Sequence, residues 1–309
     1  MEELVAAVPL ELIEAELNEK TLLRKTNKAG NEIYIISPAT APNALKEMGR
    51  LREYTFRVAG GGTGKSCDLD RFDLEDPACR QIIVWNPEEK EIIGGYRFTL
   101  GSKVHFRPDG QPDNNMAKLF EFTPEFCKEY LPYSIEMARA FIQPKYQTSA
   151  MRHKSVFALD NLWEGIGALV VKYRAKYLMG KVSVYYSMKP IVRDAILYFL
   201  QKSFPDKDNL MRSRHPHTFK TEDIAFFDKL FCRLSYRDNY KALNVFAREH
   251  GESVPPLIHA YVGLSDTMKI FGTCLDPGFG NVYDTALLIT LADVHAEKME
   301  RYVHSFKTK

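Results

Sequence analysis

Cysteine is scarce in this chain, and its arrangement argues against two classes of protein. The cysteines at positions 67, 79, 127, 232 and 274 are odd in number and form no C-x-x-C pair. This pattern argues against a disulfide framework or a cysteine-based zinc site, and it predicts a reducing compartment. His215 and His217 stand close together in R-H-P-H, but no carboxylate or cysteine accompanies them at ligand spacing. We therefore expect no metal site.

Long apolar runs and a strong net charge are also missing. The best apolar run, G-I-G-A-L-V-V, falls well short of the roughly 20 residues that a membrane-spanning helix needs. The acidic start, M-E-E-L-V-A-A-V-P, is unlike a secretory signal. A net charge of +2 is too small to indicate a nucleic-acid partner. We expect a cytoplasmic protein whose membrane contact, if any, is peripheral to the inner membrane.

The hydrophobic pattern predicts an α+β fold of the three-layer α/β type, with a central mixed sheet flanked by helices. Alternating and β-branched runs predict strands at 31–37, 81–85, 92–100, 133–142 and 182–187. Apolar residues at helical spacing predict helices at 10–19, 44–57, 155–178 (closed by Gly180), 190–204, 221–231 and 238–250. Two late segments, P-P-L-I-H-A-Y-V-G-L and V-Y-D-T-A-L-L-I-T-L, read as strands or buried stretches. No repeat or linker is evident, so we expect a single domain over 1–309, with a core at about 31–204 and a C-terminal elaboration at about 205–309.

The glycine-rich stretch A-G-G-G-T-G-K-S (59–66) is similar to a nucleotide-binding loop. In such a loop the backbone amides would cradle phosphates while Lys65 reached the terminal ones. That motif has meaning between a buried strand and a helix, whereas a helical pattern precedes it here and an acidic segment, C-D-L-D-R-F-D, follows. We favour a flexible glycine loop and keep a nucleotide-binding protein acting through Lys65 as an alternative.

Charged residues recur in four separate pieces of the chain. They are Arg52-x-x-x-Phe56, Asp70-x-x-Asp73, Arg97, and Glu136-x-x-Arg139. Two residues three apart in a strand normally face opposite sides of the sheet. A bulge between Glu136 and Arg139 would bring both toward one cleft, and a surface ion pair at the strand end is the alternative.

The order and spacing of these pieces resemble the acyl-homoserine lactone synthases, variants of the GNAT acyltransferase fold that take acyl chains from acyl carrier protein. The tryptophan that this family places soon after its arginine–phenylalanine pair is absent. The chain resembles more closely the ornithine-lipid and glycine-lipid N-acyltransferases, often labelled hemolysins, over roughly residues 45–295. The matching pieces are R-x-x-x-F at Arg52–Phe56, D-x-D-x-[YF]-D at Asp68–Asp73, G-[GT]-Y-R at Gly95–Arg97, E-x-[GA]-R at Glu136–Arg139, and the L-W-x-G-I helix at Leu162–Tyr173.

The resemblance implies transfer of a (3-hydroxy) fatty acyl group to the amine of glycine or ornithine, which would give a lyso-aminolipid. An amino acid's amine is mostly protonated near neutrality, so a base must take a proton. Glu136 is our candidate base with Arg139 as its catalytic neighbour, and a purely structural pairing of Glu136 with an arginine is the alternative.

The remaining site residues are predicted to bind the substrate. Arg52 and Arg97 would hold the acceptor carboxylate or pair with Asp70 and Asp73, and we favour pairing for at least one of them. Phe56 is included because it completes the first motif. The residue that protonates the departing thiolate is not identified, and Tyr185 and Tyr186 are candidates only by position.

The loop Q-P-K-Y-Q-T-S-A-M-R-H-K predicts the donor. It contains no glycine, unlike a pyrophosphate-binding loop for coenzyme A, and it carries Lys145, Arg152 and Lys154. These residues fit an acidic acyl carrier protein as partner, with acyl-coenzyme A as the alternative donor and no bound cofactor. A lactone synthase and a non-catalytic lipid- or carrier-binding module are the remaining alternatives.

Overall fold

The computed structural model describes residues 1–75, 79–147 and 152–306, with side chains left undescribed at 152–156. The strands, in chain order, are β1 (Leu22–Lys25), β2 (Glu32–Ile36), β3 (Arg80–Asn86), β4 (Glu91–Leu100), β5 (Phe120–Phe122), β6 (Ser134–Ile142), β7 (Tyr177–Val184), β8 (Met211–Ser213), β9 (Lys269–Asp276) and β10 (Val282–Thr290). The helices are α1 (Leu10–Glu16), α2 (Pro42–Val58), α3 (Arg71–Leu74), α4 (Arg152–Tyr173), α5 (Pro190–Ser203), α6 (Thr221–Leu230), α7 (Tyr236–Glu249), α8 (Pro256–Val262) and α9 (Ala296–Lys298), which continues as a π-helix (Met299–His304).

The chain divides into two compact units. Unit 1 comprises residues 1–104 and 132–178 together with the segment from His295 onward, and unit 2 comprises residues 105–131 and 179–294. The prediction of one domain over the whole chain stays a prediction.

Unit 1 is a three-layer arrangement around the strands β1-β2-β3-β4-β6, in that spatial order, with antiparallel neighbours. Neighbouring residues of a strand face opposite sides of a sheet, so consecutive residues of β3 show which helix covers each face. Gln81 meets Arg52 of α2, whereas Ile82 packs beside Gly165 of α4. Helices α2 and α4 therefore cover opposite faces, as the three-layer prediction requires.

The C-terminal segment of unit 1 packs on α4. A methyl group placed on Gly167 would lie 1.9 Å from the carbonyl oxygen of Tyr302, so only glycine allows this approach. The Tyr302 hydroxyl donates to the Asp160 carboxylate at 2.7 Å, and its ring lies 6.1 Å from that of Trp163. The glycines of α4 thus serve packing on both sides of the helix.

Unit 2 contains β10 between β7 and β9, and it pairs β5 with β8. Its core is aromatic: Phe199 of α5 lies 5.6 Å from Phe231 and 5.5 Å from Tyr240, measured between ring centroids. Within the described chain, no helix is both long enough and apolar enough to cross a membrane.

The helix expected to reach residue 178 is shorter than predicted, and the cap expected at Gly180 was wrong. Helix α4 ends at Tyr173 because Arg174 adopts a left-handed conformation, with φ of +50°, that breaks the helical path. Gly180, expected to cap that helix, lies inside β7. The P-P-L segment, expected as a strand or a buried stretch, forms the helix α8, in which Ile258 and Tyr261 are buried. Pro256 stands at its first helical position, where proline is well tolerated.

Candidate active site

The glycine-rich loop does not have the setting of a nucleotide-binding loop. It follows helix α2 rather than a strand. Its backbone amides at Thr63 and Gly64 donate to the carboxylate of Glu53, at 3.0 and 2.8 Å. Glu53 is fully buried, so these amides are committed to an anion of the chain itself. This arrangement leaves no support for phosphate binding through Lys65.

Six alternating charges form a continuous series in unit 1, which we call the charge chain. In order, its members are Arg139, Asp68, Arg52, Asp73, Arg97 and Asp70. The nitrogen–oxygen distances along the series are 3.1, 2.9, 3.0, 3.3 and 2.9 Å. Each inner member contacts an opposite charge on both sides, which is how a protein compensates the cost of burying ions. The structure therefore brings together Arg52, Asp70, Asp73, Arg97 and Arg139 from the predicted site.

Local structure explains how the acidic segment enters this series. The Asp70 carboxylate accepts a hydrogen bond from the Phe72 amide at 2.9 Å, and the Asp73 carboxylate accepts one from the Asp70 amide at 3.0 Å. This reciprocal pair is a capping box at the start of α3. The D-x-x-D spacing thus starts a helix and at the same time aims both carboxylates at Arg97.

A bulge in β6 places Arg139. Arg97 is paired with Ala138 and Gly95 with Phe141, so β6 carries one extra residue between these pairs. Arg139 has φ of +54°, in the left-handed region that is unusual for arginine. In a regular strand its side chain would face away from that of Ala138, but the bulge allows it to reach Asp68. The predicted bulge is present, and it lies at Arg139 itself rather than before it.

Burial separates the ends of the charge chain from its middle. The side chains of its inner members are at most 2% exposed, whereas Arg139 is 13% and Asp70 25% exposed. Arg52 and Arg97 thus pair with aspartates, the arrangement that we favoured for at least one of them. Direct contact of either arginine with a substrate stays a prediction.

The pKa values of these groups follow from burial and charge together. Burial alone would raise the pKa of Asp73, but the guanidinium groups of Arg52 and Arg97 outweigh it and hold the pKa below its usual value. Burial would lower the pKa of Arg97, and here Asp73 and Asp70 outweigh it and raise the pKa. At Arg139 burial prevails over the attraction of Asp68, so its pKa is lowered.

Glu136 lies on β6 directly opposite Thr99 of β4 and is buried. The Thr99 hydroxyl shares a hydrogen bond of 2.8 Å with the thiol of Cys79. Burial is the main cause that raises the pKa of this thiol to about 11, and the negative charge of Glu136 adds to it. Glu136 is thus placed within electrostatic reach of Cys79, on the face of β4 and β6 that carries Arg97. Its role as a base stays a prediction.

Phe56 is a core residue of α2, one turn after Arg52, and is 5% exposed. Its expected contact with the substrate stays a prediction.

Two residues of the site were not selected from the sequence. Asp68 belongs to the D-x-D-x-F-D motif but was not chosen as a site residue. In the structure it joins Arg52 to Arg139. Gln81 donates to Asp73 at 2.8 Å and accepts from Arg52 at 3.4 Å. A usable signal existed for Gln81, since it is the one polar residue of the buried run Q-I-I-V-W.

The expected carrier-binding residues are only partly described. Lys145 forms an ion pair with Glu91, and its ammonium lies 5.4 Å from the ring centroid of Tyr146. The side chains of Arg152 and Lys154 lie outside the described residues. Tyr185 and Tyr186 belong to unit 2, where burial raises the pKa of Tyr185 to about 12 while Tyr186 is exposed.

Comparison with known proteins identifies the family. A family model described as an acetyltransferase (GNAT) domain matches residues 51–155, the range that holds the whole charge chain. Glycine N(alpha)-acyltransferase of Phocaeicola vulgatus is 46% identical over 307 residues, which cover 99% of this chain and 94% of the relative. The protein of the same name from Bacteroides thetaiotaomicron is 45% identical over 99% of this chain and 91% of its own. The chain belongs to the glycine N(alpha)-acyltransferase family.

This glycine N(alpha)-acyltransferase family member is an N-acyltransferase with a GNAT-like fold, a mixed sheet flanked by helices, as predicted. The predicted relation to amino acid N-acyltransferases is likewise confirmed by these two glycine N(alpha)-acyltransferases. Among solved structures, the AHL synthase LasI aligns with 90% of this chain and 98% of its own at 12% identity, with a TM-score of 0.45.

Proposed function

We propose that this N-acyltransferase moves a fatty acyl group, 3-hydroxylated in the preferred substrate, from acyl carrier protein to the amine of glycine. The product is an N-acylglycine, the lyso-form of an aminolipid. The observation that carries the acceptor is the 46% identity to a glycine N(alpha)-acyltransferase over nearly the whole chain. Ornithine is the second acceptor to test.

The proposed chemistry forms one bond and breaks another. The glycine nitrogen attacks the thioester carbonyl, a C–N bond forms, and the C–S bond breaks. The ammonium nitrogen loses two protons in all: Glu136 takes one, directly or through water, and the other is passed to the departing sulfur. Backbone amides at the bulge of β6 are the proposed donors to the oxyanion that develops on the carbonyl oxygen. The departing thiolate takes up one proton to become the free thiol of the carrier.

Acyl carrier protein is the preferred donor because the segment after β6 lacks glycine and is basic. A carrier protein presents its prosthetic arm without the adenosine diphosphate that a glycine-rich loop would bind. Lys145, Arg152 and Lys154 are the proposed contacts, with Lys145 first giving up its pair with Glu91. Because the product is amphiphilic, we further propose that the protein works in the cytoplasm at the surface of the inner membrane.

The test is acyl transfer by the purified protein, followed by mass spectrometry. Acyl carrier protein and coenzyme A thioesters are each offered with glycine and with ornithine. Glu136→Gln should lower the rate about 10²- to 10⁴-fold, the usual contribution of a general base. The matched control is Glu19→Gln, at an exposed glutamate of unit 1, which should keep the wild-type rate. Full activity in a folded Glu136→Gln variant would remove Glu136 as the base, and absence of any N-acyl amino acid would refute the function.

A further inference from the structure

We propose that the two ends of the charge chain form a clamp for the acceptor amino acid, in which Arg139 binds the carboxylate and Asp70 binds the ammonium group. This inference rests on the proposed function, because it concerns the acceptor of that reaction. It assigns the substrate contacts to the ends of the series and leaves the four inner members as their support.

The first argument is access. The inner members of the charge chain are at most 2% exposed, and each contacts opposite charges on two sides. A substrate carboxylate could bind Arg52 or Arg97 only by displacing a buried aspartate, which would leave that carboxylate uncompensated. Arg139 and Asp70 are the members with appreciable exposure, at 13% and 25%. A ligand can therefore reach the ends without disrupting the series.

The second argument is charge balance. Three arginines and three aspartates make the series neutral overall, with a cation at one end and an anion at the other. A free amino acid carries the complementary pattern, one negative and one positive group on a neutral molecule. Its binding would lengthen the alternation at both ends and add no net charge. A purely anionic or cationic ligand would match one end only.

The third argument is the bonding capacity of each end. One oxygen of Asp70 accepts from the Phe72 amide and from Arg97, and the other accepts from Arg97 at 3.0 Å. A carboxylate offers about four acceptor sites, so Asp70 can still take an N–H of an ammonium group. Arg139 shares Asp68 with Arg52, so one carboxylate serves two guanidinium groups there. A substrate carboxylate at Arg139 would add a negative charge beside these two guanidinium groups.

The two ends also lie within electrostatic reach of each other. Arg97, which lies 2.9 Å from Asp70, is paired across the two strands with Ala138, the residue before Arg139. Asp70 is also among the charges that act on Arg139. The series therefore bends back toward its start, and its ends can serve the two groups of one small molecule. Asp70 would hold one N–H of the ammonium group while Glu136 removed a proton from the same nitrogen, which frees the electron pair for attack.

The test compares glycine with glycinamide, which keeps the amine and lacks the carboxylate. For each acceptor, the KM of a variant is divided by that of the wild type, so that the different basicities of the two amines cancel. Arg139→Gln should raise the KM for glycine about 10- to 100-fold and that for glycinamide less than about twofold, because only glycine loses a charge-assisted hydrogen bond. Asp70→Asn should raise both KM values by similar factors. Arg80→Gln, which removes an exposed guanidinium that contacts Tyr173, is the matched control and should change neither.

Thermal melting checks that each variant is folded. If Arg139→Gln is unstable, Arg139→Lys replaces it in the test, because lysine keeps a positive charge beside Asp68. The lysine variant should still lose several-fold in KM for glycine alone, because it cannot bind a carboxylate through two nitrogens. Calorimetric titration with glycine, without any donor, provides a second readout. If the protein bound glycine through Arg139 but transferred no acyl group, the proposed function would be refuted while the clamp would be supported. Acylation of glycine with equal KM changes for both acceptors in the Arg139 variants would refute the clamp alone.

Discussion

Asp73 occupies the middle of the charge chain, and its replacement by asparagine is the most direct test of how the buried charges support unit 1. Its carboxylate accepts hydrogen bonds from Arg52 at 3.0 Å, Gln81 at 2.8 Å and the Asp70 amide at 3.0 Å, and it lies 3.3 Å from Arg97. Asparagine has nearly the same volume, so Asp73→Asn creates no cavity. It removes the one negative charge that stands between two buried guanidinium groups.

Breaking a buried ion pair costs about 3–5 kcal/mol, because the remaining charge stays in a poorly solvated site. Asp68 and Asp70 continue to compensate Arg52 and Arg97, so we expect a loss near the lower limit, about 3 kcal/mol. That is a large part of the roughly 5–15 kcal/mol that stabilises a typical domain. Urea unfolding followed by circular dichroism measures the difference.

The control is Asp109→Asn, which removes a largely exposed carboxylate 3.3 Å from Arg107. A pair of that kind contributes at most about 1 kcal/mol. If Asp73→Asn cost no more than this control, the claim that Asp73 compensates two buried cations would be wrong.

The same substitution tests how the charge of Asp73 makes the stability of the protein depend on pH. The pKa of Asp73 is lower in the folded protein than the value of about 3.9 of an unfolded chain. The charged form is therefore favoured by folding, and its contribution is complete above about pH 4 and is lost as the pH falls toward the folded pKa. The difference in unfolding free energy between wild type and Asp73→Asn should be constant from pH 7 to pH 5 and shrink below about pH 4. A difference that grew on acidification would contradict this sign.

Two further predictions concern packing and chemistry. Gly167→Ala should lower stability by about 1–3 kcal/mol, because its methyl group would lie 1.9 Å from the Tyr302 carbonyl oxygen. The thermal midpoint measures this, and Gly263→Ala, whose nearest contact would be an ordinary 3.4 Å, is the control that should change little. Cys79→Ser keeps a hydrogen-bonding group beside Thr99 and should leave acyl transfer within about twofold of the wild type. A loss of more than a hundredfold in the folded serine variant would instead indicate a covalent role for the thiol.

The sequence predicted the elements whose signal is local. The β3–β4 hairpin and helix α2 follow from alternation and helical periodicity over consecutive residues, and both are present. The end of α4 was predicted too late. Gly180 offered the usual cap signal, but the left-handed Arg174 ends the helix at Tyr173, seven residues earlier. Just after this turn the Lys176 amide donates to the Tyr133 carbonyl at 2.9 Å, outside the helix. Intrinsic propensity does not predict such a turn, because a left-handed conformation is unfavourable for arginine.

The pairing of individual charged residues within the site could not be predicted from short stretches of sequence. Asp68 and Arg139 are 71 positions apart, and they meet because a bulge redirects one strand while α2 holds the other residue through the Gly49 carbonyl. Residue types and order predicted that arginines and aspartates would pair, as they do. They did not indicate which aspartate binds which arginine, since register and bulges are set by the whole sheet.

The surroundings of Cys79 favour direct attack by the amine over a covalent acyl-enzyme. A thiol attacks as its thiolate, and a nucleophilic cysteine needs a lowered pKa. Here burial and the nearby Glu136 raise the pKa to about 11, so roughly one molecule in ten thousand would carry a thiolate at pH 7. The positive charge of Arg97 acts in the opposite direction and does not overcome burial. The raised pKa of this buried thiol thus disfavours the covalent route, which agrees with the proposed direct transfer to the amine.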